Sequence, residues 1–289
     1  MLIPGIVDRE ANTLTVTRAY GGTTAFPLAD NMKLTILGNA ALEGAAAPAP
    51  RFTTRARRSN YTQIFTATVE VSGSMQAARA HGVADEADYQ KAERMRELLR
   101  DLENTVINGA APASTQQGSS AVRRSMNGII RSISTNAFSP GVAGFPLGTG
   151  LGEDELTEEI LNTAMRKVWD QSSGVVDTIV VGGAQKRRIN TLLESQRGYT
   201  PADTRLRNLV SIYESDFGVC RIILSRWVPA DTALFLDSSR VSVLPLAGRS
   251  FHARPLAQTG DSLSTQILGE YTLEFKNENA HAVVRNLAA

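Results

Sequence analysis

The stretch that decides the reading is Ala84–Gly109, ADEADYQKAERMRELLRDLENTVING. Ala92, Met95, Leu99, Leu102 and Val106 recur at steps of three and four residues, which sets them on one side of a 3.6-residue spiral. The opposite face carries Lys91, Glu93, Arg96, Glu97, Arg100 and Glu103, whose mixed signs allow pairs such as Glu93 with Arg96 and Glu97 with Arg100. Asp85 supplies a cap for the first turn, and Asn108-Gly109 reads as a left-handed stop. At 1.5 Å per residue such a helix is about 36 Å long. With one apolar stripe it needs something broad to lie on, and a long β-sheet or a neighbouring subunit would serve.

The composition bounds what the rest can be. A chain of 289 residues has room for about two domains. Hydrophobic content of 42% and charged content of 20% are globular values. A net charge of +1 argues against a whole-molecule electrostatic nucleic-acid binder, whose mark is a concentrated basic excess. No apolar run is long enough for a membrane helix, and the N-terminus lacks the basic, apolar and small-residue succession of a signal peptide, so the chain reads as soluble and intracellular. The single cysteine, Cys220, lies in the apolar run VCRIIL with no activating partner in sight and reads as a small buried hydrophobe.

Taken in order, the chain opens with two strand-like runs, Thr13–Thr17 and Lys33–Leu37, with Gly21-Gly22 available as a turn. Glu43–Pro50 is an Ala/Pro linker. Arg51, Arg55, Arg57 and Arg58 follow, and then Phe65–Ser72, where apolar and polar residues alternate as in a strand with one covered face. After the long helix, Ala110–Ser120 and Ser134–Gly152 are Gly/Ser-rich loops. A second helix is predicted from Asp154 to about Gln171, with Ile160, Leu161, Ala164 and Val168 inward and Trp169 beside them. Val175–Val181 reads as a buried strand, followed through Gly182-Gly183 by a helix over Ala184–Glu194, a succession of the α/β kind. Strands are expected at Leu209–Tyr213, Val219–Leu224, Ala233–Leu236 and Val241–Leu244. Ile267, Tyr271, Leu273 and Phe275 then alternate with Glu270, Thr272, Glu274 and Lys276, and Asn277-Glu278-Asn279 is expected to fold His281–Leu287 back as a terminal hairpin.

Little here points to catalysis. Gly260-Asp261-Ser262-Leu263-Ser264 spells the nucleophile motif of GDSL-type esterases, with Glu278 and His281 as conceivable acid and base. In those hydrolases the serine lies near the beginning and most of the fold follows it, whereas only a hairpin's worth of chain follows Ser262; a triad needs a scaffold to hold its members in hydrogen-bond reach. Gly148-Thr149-Gly150-Leu151-Gly152 lacks the preceding strand and the lysine of a phosphate cradle. His81, His252 and His281 have no ligand-type spacing, so no metal and no cofactor is expected. Asp154, Glu155, Glu158 and Glu159 read as a solvated first turn. The arginine ribbon lacks interleaved aromatic platforms beyond Phe52 and Tyr61, and reads better as an arm meeting carboxylates on another subunit than as a phosphate binder.

Asn60-Tyr61-Thr62-Gln63-Ile64-Phe65, the strand running to Ser72-Gly73, the helix ending in Glu103–Gly109 and the closing Gly269-Glu270-Tyr271-Thr272-Leu273, in that order, resemble one branch of the major head proteins of tailed phages, which have the Hong Kong 97 type capsid fold. The resemblance covers nearly all the chain from about Arg51 onward. It implies an α+β fold with an N-terminal arm (1–50), an extended β loop (51–78), a peripheral domain with a long spine helix on a β-sheet (79–135), a flexible loop (136–153), an axial α/β domain (154–246) and return strands of the peripheral domain (247–289). Subunit contacts would fall on Arg51, Arg55, Arg57, Arg58, Asn60, Tyr61 and Gln63, and spine packing on Ala92, Met95, Leu99, Leu102 and Val106.

The function so implied is structural. Many copies form hexamers and pentamers that close into an icosahedral head around double-stranded DNA in the virion, after assembly in the host cytoplasm. Separate scaffolding and portal proteins, and a decoration protein, would be the partners. The chain before Arg51 is shorter than the usual arm of this branch. The runners-up are the shell of a nanocompartment or gene-transfer particle and, from another class, the esterase built on Ser262. Some shells of this type are cross-linked between lysine and asparagine; no lysine lies between Lys33 and Lys91, so a non-covalent shell is expected.

Overall fold

A computed structural model describes the chain except for residues 1–2, 9, 39–42, 48–49, 51, 53, 55, 79–84, 113–117, 143–144, 147, 150–151, 153, 195–211 and 259. The chain divides into two compact units, Met1–Ala56 and Arg57–Ala289. In the first, β1 (Ile3–Asp8) pairs antiparallel with β2 (Thr13–Thr17), and a short 3-10 turn follows at Tyr20–Gly22. β1 carries Pro4 and Gly5, breakers that hide a strand from periodicity. Lys33–Leu37, expected as a strand, is in none. Ile36 and Leu37 are almost fully exposed, so the run has neither a ladder nor a surface to settle on within its unit. None of the described side chains of this unit is buried.

The second unit begins with β3 (Gln63–Ser72), the short helix α1 (Gly73–Ala77) and the long helix α2 (Glu86–Asn108). Next come α3 (Ile129–Ser132), β4 (Ala137–Phe138), α4 (Glu158–Gln171), β5 (Thr178–Val181) and α5 (Gly183–Glu194). The remainder is β-rich: β6 (Ile212–Ser215), β7 (Gly218–Leu224), β8 (Ala233–Leu236), β9 (Val241–Pro245), β10 (His252–Pro255), β11 (Ser262–Phe275) and β12 (Ala282–Val284). Two sheets result. In the four-stranded one, β11 is central, pairing with β3 from Ser262↔Ser72 to Tyr271↔Gln63 and on its other edge with β10 and β9. The six-stranded sheet runs β4-β12-β8-β5-β7-β6.

α2 lies against β3 as the single stripe demanded, but the stripe is rotated from the expected one. Ala87, Leu98 and Ile107 are buried and Met95, Leu102 and Val106 pack beside them, while Ala92 is exposed and Leu99 is 50% exposed. The doublets Leu98-Leu99 and Val106-Ile107 offer two stripes about 100° apart, and only the docking surface chooses between them. Asp85 caps the helix, its carboxylate accepting from the Ala87 and Asp88 amides. Arg96 pairs with Glu93 as expected, whereas Glu97 pairs with Arg94.

The stop is not left-handed: Gly109 has φ −49° and ψ 146°. Its missing side chain is needed for space, because a Cβ there would fall 2.4 Å from the Thr105 carbonyl oxygen and 2.6 Å from that of Met126. The Gly128 amide donates to the Gly109 carbonyl at 2.9 Å, so the chain returns backbone to backbone at the helix end.

Two cores share the six-stranded sheet. On one face, Ala233, Phe235, Ala282, Val284, Ile179, Val181, Cys220 and Ile222 meet Ile160, Leu161, Ala164, Met165 and Val168 of α4 and Ile189 of α5. On the other, Leu234, Leu236 and Val283 meet Phe65, Leu98, Ile129, Ile267 and Leu273, the core of the long sheet and α2. β8 and β12 are therefore buried on both faces and read as unbroken apolar runs.

This arrangement redraws the expected boundaries. β9, placed by the sequence in the axial part, is laddered to β11, and β12 joins the six-stranded sheet instead of making a hairpin with β11. The 136–153 loop contributes β4, and its Phe145 is buried and stacked on Phe138 at 4.8 Å. Within 51–78, the ten residues of β3 are fully paired to β11. Trp169 faces outward, 63% exposed, with Phe217 tilted against it.

Candidate assembly surfaces

The arginine ribbon leads into the long sheet. Arg51 and Arg55 lie outside the described residues, and Arg57 and Arg58 are exposed. Arg58 approaches Glu278 at 3.5 Å with most of its side chain in solvent. Glu278 itself is firmly held: it accepts from the Ser134 and Thr135 amides at 2.8 and 3.0 Å and from the Thr135 hydroxyl at 2.6 Å. Burial pushes its carboxyl up, but the Thr135 hydroxyl and the two amides outweigh this and hold it down at about 2.

The Asn60 and Gln63 side chains and the Tyr61 backbone, expected at a subunit contact, make hydrogen bonds within the subunit. Asn60 Oδ1 accepts from the amides of Tyr61 and Asn127 at 2.9 and 2.7 Å, and Nδ2 donates to the carbonyls of Asn127 and Leu273 at 3.0 and 3.1 Å. The Gln63 side-chain oxygen accepts from the Met126 amide at 3.1 Å, and the Tyr61 carbonyl accepts from Thr272 Oγ1 at 2.9 Å. These residues bind the loop before α3 to the end of the long sheet. The four hydrogen bonds of Asn60 occupy both donors and the acceptor of its side chain.

The sequence reading missed Glu270. It stands on the face of β11 away from the apolar core, yet is buried, because Arg124 and Arg249 close over it at 2.8 and 2.7 Å and Thr62 donates to it at 2.6 Å. Arg249 lies in the break between β9 and β10, whose backbone bonds Glu270 on both sides. A lone acidic residue in an alternating strand looks like any solvated position; its three partners come from distant parts of the chain.

Ser262 opens β11, where its hydroxyl donates to Glu70 at 2.6 Å. His281 packs on Phe275 at the far end of the same strand, roughly 40 Å away at the strand rise of about 3.3 Å per residue. Serine, histidine and acid are thus not brought together. The Asp261 carbonyl accepts from the Gly73 amide at 3.0 Å, so the GDSL stretch ties the strand end to α1. Cys220 is buried, and burial pushes its thiol up to about 11. Among the described residues no cluster suited to a metal ion occurs, and no helix is long and apolar enough to cross a membrane.

Apolar area is left uncovered at several places, of which these stand out. In the first unit Tyr20, Phe26, Leu28, Leu34, Ile36 and Phe52 are exposed, Phe52 at 92%. Along α2 and β3, Tyr89, Leu99 and Ile64 point outward. On the six-stranded sheet, the face that carries the second core at β12, β8 and β5 is bare at β7 and β6, where Ile212, Val219 and Ile223 are exposed. A soluble monomer rarely leaves this much, and patches of this kind mark interaction sites.

A long helix on a narrow sheet, joined to a six-stranded sheet that carries α4 and α5 on one face and the α2 core on the other, defines the Hong Kong 97 type capsid fold. The chain belongs to the SU10 major capsid protein family, whose model matches residues 8–288. It is a structural major capsid protein, and its place is the virion shell. No curated protein matches the sequence. Among solved structures it resembles the satellite phage P4 procapsid including its size determination protein, with TM-score 0.58 and 12% identity over 90% of this chain and 82% of that chain. A structure of Gordonia phage Cozz gives 0.51 and 15% over 85% and 79%. The holo-SrpI encapsulin complex from Synechococcus elongatus PCC 7942 gives 0.52 and 14% over 78% and 74%. At these identities the likeness establishes the fold.

Proposed function

We propose that this subunit assembles as hexamers and pentamers into an icosahedral head that encloses double-stranded DNA, without sequence-specific contact to it. The observation that carries this reading is the apolar surface left bare on an otherwise well-packed subunit, above all in Met1–Ala56, whose described residues include none that is buried. A segment that cannot cover its own hydrophobic side chains gains little by folding alone and much by lying on copies of the same chain. Modest contacts repeated around a closed shell sum by multivalency. A net charge of +1 fits packaged DNA that must also be released. Assembly takes place in the host cytoplasm, with scaffolding, portal and decoration functions supplied by separate proteins.

Arg57 and Arg58, with Arg51 and Arg55 of the same ribbon, meet carboxylates of a neighbour. The shell is held without covalent cross-links, since the segment from Lys33 to Lys91 holds no lysine between its ends; assembled particles run as a single monomer band on a denaturing gel. Electron microscopy of the protein expressed alone and with its neighbouring genes tests the whole reading. Closed shells of uniform diameter, or hexamer and pentamer rings, support it, and small oligomers under both conditions overturn it. Likeness of fold to an encapsulin complex keeps a nanocompartment in view as the second reading. Nuclease-protected DNA in purified particles favours the head, and co-purifying protein cargo favours the compartment.

A further inference from the structure

The chain crosses from the long sheet to the six-stranded sheet between β11 and β12, and His281 sits at the crossing with no exposed surface. Its Nδ1 lies 3.2 Å from the Asp237 amide nitrogen, just past the end of β8, and its Nε2 lies 3.2 Å from the Lys276 carbonyl oxygen, just past the end of β11. A backbone amide only donates and a carbonyl only accepts, so Nδ1 is bare and Nε2 carries the hydrogen. The ring rests on Phe275 at 4.3 Å. Asn136 donates to the carbonyls of Asn279 and His281 at 2.8 and 3.0 Å, and its own side-chain oxygen is buried with no partner. One neutral ring thus links the ends of β8, β11 and β12 in a polar seam between two apolar cores.

The charged groups around the ring are already committed. Asp237 is bound by Ser239 and Arg240, and Asp177 by the Ser238 amide and hydroxyl. The Lys276 ammonium pairs with Glu274 at 3.0 Å, and Glu278 is held by Ser134 and Thr135 and approached by Arg58. Among the described residues, the carboxylates of Asp237, Asp177 and Glu278 already accept hydrogen bonds from other groups, and the Nδ1 position faces the Asp237 amide.

We propose that His281 is a proton-operated joint between the two sheets: a proton on Nδ1 turns the acceptor of the Asp237 amide into a second donor, so that the end of β8 is released from the end of β11. Burial pulls the ring below its ordinary 6.5, more strongly than the Lys276 carbonyl and the carboxylates of Asp237 and Asp177 raise it. With the folded value below the unfolded one, the joint is closed at neutral pH. It loses stability as pH falls below 6.5 toward the lowered value. A joint that opens by degrees would let one chain fit sites of different curvature; that consequence rests on the shell reading, and the joint itself does not.

Hydrogen exchange on the full-length subunit from pH 7.5 to 5, corrected for the intrinsic pH dependence of exchange, tests this with His281→Gln, whose amide keeps a donor and an acceptor but does not titrate. In the natural protein, protection over residues 233–240 and 281–285 should fall at least tenfold while that of α4 is kept. In His281→Gln it should stay level. Level protection in the natural protein, or the same fall in the variant, overturns the proposal. Should the variant not fold, the ring's carbon resonance in the natural protein decides. Titration together with loss of the β8 and β12 amides alone supports the joint, and a ring that stays neutral until the whole subunit unfolds overturns it. Neither readout depends on particle formation, so a failed shell reading would leave this result standing.

Discussion

Glu270 on an alternating strand and Glu278 in a turn are two acidic residues at positions that the sequence alone would call solvated, and each has become a fastening point. Glu270 gathers Arg124, Arg249 and Thr62 from three separate loops. A buried carboxylate with charged partners is expensive to break from one side, because what remains is uncompensated. Glu270→Ala should therefore destabilise the subunit by about 2 kcal/mol or more in urea unfolding, while Arg124→Ala costs about 1 kcal/mol since Arg249 and Thr62 remain. Glu278 acts through pH. Its folded value of about 2 lies below its ordinary 4.5, so its contribution is complete above 4.5 and is lost as pH falls from there toward 2. Glu278→Gln should lower stability at pH 7 by about 1–2 kcal/mol and flatten the pH profile between 4.5 and 2. An unchanged profile would place the acid sensitivity elsewhere.

At the scale of elements, α2 shows how a helix is selected twice, first by periodicity and then by the sheet it meets. Leu98 is enclosed by the core of the long sheet and Leu99, one residue on, is half in solvent. Leu98→Ala should cost about 2–4 kcal/mol, whereas Leu99→Ala should stay within about 0.5 kcal/mol in the isolated subunit. Equal effects would mean that the helix lies in the other phase. The strands β8 and β12 show the opposite economy. Each is short, but with both faces buried it serves two cores at once, and this makes Arg57–Ala289 one compact unit in spite of its two sheets.

At the scale of the molecule, the arginine ribbon proposed to meet a neighbour is energetically separable from the fold. Among the described residues, the ion pair that Arg57 and Arg58 make is the exposed one of Arg58 with Glu278 at 3.5 Å, and such pairs are worth about 0–1 kcal/mol. Arg57→Glu combined with Arg58→Glu should keep the circular-dichroism spectrum and unfolding midpoint of the natural protein and yet impair particle formation. Normal particles from the double variant would remove the ribbon from the interface.

What the sequence by itself determined is what depends on neighbours along the chain. The long helix and its Asp85 cap, the inward residues Ile160, Leu161, Ala164 and Val168 of α4, and the alternation of β3 and β11 follow from local periodicity, and the order of these parts was enough to indicate the capsid fold. Tertiary structure decided everything set by residues distant in sequence. It chose Leu98 over Leu99, sent β9 to the long sheet and β12 to the six-stranded one, and left Lys33–Leu37 unpaired with any strand among the described residues. It also closed Arg124 and Arg249 over Glu270, and engaged Asn60 and Gln63 inside the subunit. A pattern states which face of an element is apolar; which partner that face meets is settled only when the segments compete for the same buried surface.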